Sequence, residues 1–153
     1  MDRLREVETV FDLVRHAHAN WSPDEMRPLS SAGAREARRV SWLLRQRREA
    51  TVPPISLVIS SPSLRARQTV APLAAHLDLP LTIEIDLRER ALGQDLGDVA
   101  AFRAAVRATW EDASFSLPGG ETNSAAQARG VAVLEACHLN HGGEHIVLGT
   151  HGN

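Results

Sequence analysis

The 153-residue chain contains no lysine; all 17 of its Lys and Arg cations are arginine. That absence removes the phosphate-gripping lysine of P-loop nucleotide hydrolases, the strand lysine of protein kinases and the amine of Schiff-base enzymes. A single cysteine, Cys137, excludes a disulfide framework and a four-cysteine zinc site. No stretch approaches the roughly 20 apolar residues of a membrane span. The opening segment, MDRLREVETV, is charged from its second residue, unlike a signal peptide. A large charge of one sign is missing too. Seventeen cations against 19 acids leave a net charge of -2, which argues against nucleic acid as a partner held by bulk charge. The expectation that remains is a soluble, cytoplasmic protein of common domain size, with 43% hydrophobic residues for its core.

No internal repeat, low-complexity tract or linker divides residues 1–153, which read as one domain. Short runs rich in β-branched residues alternate with longer segments of helical period, the pattern of an α/β domain with a largely parallel sheet. Val7 to Val14 predicts a strand ending at Arg15-His16. Ser30 or Ser31 caps a helix to about Arg48 with Ala37, Val40 and Leu44 on one face. After the breaker Pro53-Pro54, Ile55 to Ser60 predicts a second strand. Ser61-Pro62 then opens a helix with Val70, Leu73, Ala74 and Leu77 inward. Leu81 to Ile85 predicts a third strand. Asp98 caps a helix expected to bury Val99, Phe102, Val106 and Trp110. Thr122 starts one carrying Ala126, Gly130, Val133, Leu134 and Cys137, ended by Gly142-Gly143, and His145 to Gly149 is a last strand.

In open α/β sheets the ligand sits beyond the carboxyl ends of the strands. Here those ends lead into Arg15-His16, into Arg65 and Arg67, into Glu89 and into His151. Guanidinium forks grip phosphate oxygens and stay charged, and a histidine with a pKa near about 6.5 serves as nucleophile when neutral. Arg65 and Arg67 point to nearly opposite sides of a helix, so at most one readily joins such a cradle. Helix geometry alone does not choose between them.

Six segments, in order along the chain, resemble the histidine phosphatase (phosphoglycerate mutase-like) superfamily, its small phosphatase branch. They are Leu13-Val14-Arg15-His16-Ala17; Pro28-Leu29-Ser30-Ser31-Ala32-Gly33; Ser60 to Thr69; Leu87-Arg88-Glu89 with Gly93 and Gly97; Pro118-Gly119-Gly120-Glu121-Thr122 with Arg129; and Val147-Leu148-Gly149-Thr150-His151-Gly152. The resemblance implies a three-layer α/β/α sandwich, with a helix and strand following the second histidine motif in a longer chain. It implies His16 as the nucleophile of a phosphohistidine intermediate, Glu89 as general acid, and Arg15, Arg65 and His151 as holders of the phosphoryl oxygens. On this pattern the phosphate contact falls on the arginine preceding alanine, which is Arg65. Glu121 would lie at the pocket rim. Ser22 stands where the family usually has a phosphate-touching asparagine, a longer donor, and His18 where glutamate or glutamine is common.

The reading is therefore a phosphatase hydrolysing phosphate monoesters without metal or other cofactor. Its partner is a small phosphorylated substrate, with no nucleic acid, no membrane, and a homodimer left open. Phosphoglycerate mutase-type transfer is the rival within enzymes, disfavoured by spans too short for a lid against water. A weakly active phosphate-binding regulatory module is the rival outside them. Bland readings govern elsewhere. His138, His141 and His145 straddle a helix end, where cations are favourable without a metal. The arginines of residues 35–48 read as the solvent face of a helix, and Cys137 as core.

Overall fold

The computed structural model describes residues 8–22, 24, 26–46, 52–93 and 98–152. Four strands, β1 (Val10–Arg15), β2 (Ile55–Ser60), β3 (Leu81–Ile83) and β4 (His145–Thr150), form one sheet in the order β1-β4-β2-β3, every pairing parallel. All carboxyl ends therefore share one edge. The strand over Ile55–Ser60 lies where the sequence predicts it. The first begins later, at Val10, and the expected start at Val7 lies outside the described residues. The third is shorter than expected, because Glu84 turns the chain. Its carboxylate accepts from Asp86 N and caps a 3-10 turn, Ile85–Leu87.

Helices cover both faces. Along β4, Ile146 and Leu148 point one way and Val147 the other, as period-2 alternation requires, and all three are fully buried. Ile146 and Leu148 pack with Ile59, Leu87, Val133 and Cys137, beneath α4 (Asn123–Asn140). Val147 packs with Val58 of β2 and with Val70, Leu73 and Ala74 of α2 (Leu64–Leu77), beside which α1 (Ser31–Gln46) lies. The expected end of α1 near Arg48 lies outside the described residues. Asp98 does cap α3 (Val99–Glu111), its carboxylate accepting from Ala101 N at 2.8 Å. The expected inward stripe is corrected, however. Val99, Phe102 and Trp110 are exposed, and the helix buries Ala105 and Thr109 instead.

At the far edge of the sheet His145, 2% exposed, joins β4 to β1. Its Nε2 lies 2.8 Å from Asp12 Oδ2 and its Nδ1 3.1 Å from Pro53 O. No helix among the described residues is long and apolar enough to cross a membrane.

Candidate active site

The register of β1 on β4 makes the site. Arg15 stands opposite Thr150, so the residues that follow, His16 and His151, leave the sheet side by side. The ladder runs one step further, His16 N donating to Thr150 O at 2.9 Å. The two rings meet edge to face with centroids 5.4 Å apart, close enough for one phosphoryl group to touch both. From the neighbouring β2, Ser61 N donates to Gly149 O, and the Ser61 hydroxyl sits 2.8 Å from His151 Nε2. A Cβ at Gly149 would stand 3.0 Å from Val70 Cγ2. Glycine there lets α2 settle on the sheet and carry Arg65 to the rim.

Arg65, 2% exposed, donates from Nη2 to Glu89 Oε2 at 2.5 Å and lies 3.5 Å from His151 Nδ1. Glu89 Oε2 is 3.7 Å from the same His151 nitrogen. Arg15 borders this group through Gly152, where an added Cβ would come 2.7 Å from Arg15 Nε. Four expected residues, His16, Arg65, Glu89 and His151, thus meet, and Arg15 adjoins them. The geometry also chooses between the two arginines of α2. It is Arg65 that reaches Glu89 and His151.

His16 Nδ1 donates to Ala17 O at 2.9 Å, which leaves the lone pair of the neutral ring on Nε2. Burial lowers the His16 pKa from its ordinary value, and the positive charges of Arg65 and Arg15 push the same way. Burial also takes His151 down, to about 4, with Arg65, His16 and Arg27 adding to the effect and Glu89 opposing it. Both rings are neutral at pH 7. The site offers an unprotonated ring nitrogen in a field of fixed positive charge, the electrostatics suited to an incoming anion.

The loop carrying His16 is held from two sides. Ala17 N donates to Thr69 Oγ1 at 2.9 Å, and the Thr69 hydroxyl donates to Arg65 O at 2.7 Å, so one side chain ties that loop to the first turn of α2. On the other side, α1 approaches so closely that a Cβ at Gly33 would lie 2.0 Å from His18 O. His18 belongs to that contact. Its ring meets Ser30 Oγ at 2.7 Å, and its backbone N donates to Glu36 Oε2 at 2.9 Å.

Two expected residues take other partners. The Ser22 hydroxyl accepts from Asp24 N at 3.2 Å, and its carbonyl accepts from Arg27 Nη1 at 2.6 Å. Glu121 is gripped by Arg129 through two bonds of 2.7 and 2.8 Å, which lower its pKa, while its backbone N donates to Ala91 O. It fastens the Pro118–Thr122 loop beside the acid loop, the segment 87–93 that carries Glu89. Gly97 lies outside the described residues. Sequence reasoning missed Ser61, Thr69 and Arg27. Ser61 and Thr69 sit inside the quoted Ser60–Thr69 segment, but a hydroxyl's partner cannot be read from spacing. Arg27 lies in a loop with no periodicity to aim it.

Among the described residues one group of three could approach a metal: His16, Glu89 and His151, with ligand atoms within 4.8 Å of one another. Arg65 on the Glu89 carboxylate makes the surroundings favour an anion over a cation. His138, His141 and His145 do not converge. They turn to Thr9, Glu144 and Asp12 respectively.

Comparison with known proteins agrees with this geometry. The chain is 31% identical over 154 residues to phosphoglycerate mutase-like protein 4 of Arabidopsis thaliana, covering 92% of this chain and 65% of that relative's length. In solved structures, the fold is similar to a mycobacterial glucosyl-3-phosphoglycerate phosphatase in complex with inorganic phosphate (TM-score 0.78, 25% identity, 92% of this chain and 72% of that one). It is also similar to YhfR of Bacillus stearothermophilus (TM-score 0.75, 22% identity, 95% of this chain and 75% of that one). Residues 11–153 match the histidine phosphatase superfamily (branch 1), and the chain belongs to that family.

Proposed function

We propose that the chain hydrolyses phosphate monoesters through a phosphohistidine on His16, without a metal ion. The observation that carries this reading is the His16 ring itself. Its Nδ1 is committed to Ala17 O, and its Nε2 shares a rim with Arg65, Glu89 and His151. In the first step Nε2 attacks phosphorus, the P–O ester bond breaks, and the departing oxygen takes a proton from Glu89. In the second, water gives a proton to the Glu89 carboxylate and attacks phosphorus, the P–N bond breaks, and inorganic phosphate leaves with neutral His16 restored. Arg15 and Arg65 hold the equatorial oxygens and offset their charge, the task a metal performs elsewhere. His151, aligned by Ser61, contacts the same group. Glu89 is ion-paired with Arg65, so an arriving dianion competes for the same guanidinium.

The test is a stable label. Wild-type protein incubated with radiolabelled substrate and quenched in alkali should retain protein-bound phosphate that is lost in acid, and His16→Ala should retain none and release no phosphate. Full activity in His16→Ala overturns the covalent mechanism. The likeness to a phosphoglycerate mutase-like protein favours a second reading, transfer of the phosphoryl group back to a sugar acid. Isomerisation of phosphoglycerate faster than phosphate release would establish it.

A further inference from the structure

Arg88 and Arg90 flank Glu89 in the sequence, but they line a different space. A cavity of about 440 Å³ lies between the acid loop, α3 and α4, walled by Arg88, Arg90, Trp110, Asn123, Arg129 and Gly130. Among the described residues, three guanidiniums meet only two carboxylates there. Arg88 pairs with Asp86 at 2.7 Å, and Arg129 holds Glu121 in a two-bond fork. Arg90 has neither. It is 4% exposed, and its Nη2 reaches only the Thr109 hydroxyl oxygen, at 3.4 Å. Its Nε and Nη1 are buried without a hydrogen-bond partner among the described residues. The Thr109 proton is already donated to Val106 O, so that contact brings no negative charge. A buried guanidinium with no counter-charge is costly, and an anion relieves it. The room is present, since a Cβ added at Gly130 meets nothing within 4 Å.

We propose that this cavity is a second anion site, separate from the catalytic rim, in which Arg90 binds a small oxyanion (a phosphate or a carboxylate group). The apolar body of the ligand rests against Leu87 and Trp110.

The test uses the full chain with Trp21→Phe and Trp42→Phe, so that Trp110 alone reports, titrated separately with inorganic phosphate and with benzoate. Saturable change in Trp110 emission with either probe supports the site, and the probe that acts identifies the group it accepts. Arg90→Met, and independently Gly130→Leu, which fills the space without removing a charge, should each weaken that response about tenfold or more. His16→Ala should retain it. No saturable change with either anion, or an unaltered titration in Gly130→Leu, overturns the proposal. A thermal melt in buffer free of such anions is a second check. Arg90→Met should melt higher than the parent chain, and a lower melt means that the guanidinium is satisfied in some other way and sinks the idea.

Discussion

Glu89 and Arg65 form a 2.5 Å ion pair in which the intended proton donor occupies part of the intended phosphate grip. On the proposed mechanism, substrate displaces that carboxylate from the guanidinium before it serves the leaving oxygen. Glu89→Gln keeps the size and removes the proton transfer. Its rate should fall about 10²- to 10⁴-fold for alkyl phosphates, where the departing oxygen needs a proton, and much less for nitrophenyl phosphate. A leaving-group series on both proteins measures this, and equal losses throughout would remove Glu89 from the acid role.

The lowered histidines make a pH prediction. Folded His151 takes a proton only near pH 4, whereas in the unfolded chain it does so near 6.5. Between those values the unfolded state binds more protons, so stability is complete above pH 6.5 and declines as pH falls to about 4. Urea melts across this window should show the decline, and His151→Gln should flatten it. His16 shifts the same way. The acid limb of kcat/KM should accordingly lie below the ordinary histidine range.

Gly33 is a steric prediction. A methyl group there meets His18 O at 2.0 Å, so Gly33→Ala must push α1 off the loop that carries the nucleophile. A cost of about 1–3 kcal/mol is expected from overpacking, with a fall in kcat beyond what unfolding explains. Denaturant midpoints and active-site titration on the same sample separate the two effects.

His145 and Asp12 predict the opposite separation. Their contact is buried, but it lies at the edge of the sheet away from the rim. His145→Leu should cost about 1–3 kcal/mol of stability by removing a buried hydrogen-bonding partner of Asp12, while kcat of the folded fraction stays unchanged. A specific loss of kcat would show that this edge communicates with the site.

Much of this architecture was legible in the residues. The strand Ile55–Ser60 announces itself through a β-branched run after two prolines, and α2 through a continuous apolar stripe. The face of α3 misled because its large apolar residues, Val99, Phe102 and Trp110, repeat at helical spacing yet point outward. The packed side uses Ala105 and Thr109, too small and too mixed to register as a hydrophobic face. At the site, residue types and order pointed to the family, and four of the expected side chains meet. Partners were another matter. That Ser61 aligns His151, or that Arg129 claims Glu121, depends on which segments the sheet order and α4 bring together, and spacing along the chain carries no such information.

The β1–β4 register has one more outcome. His16 and His151 come from strands remote in sequence, so the proposed catalytic pair is a long-range contact that no fragment can assemble from local structure. On the proposed mechanism, turnover reports on completed folding. A chain nicked or stalled before these strands zip together has no partly competent form, and the first phosphate it releases dates the moment its topology closed.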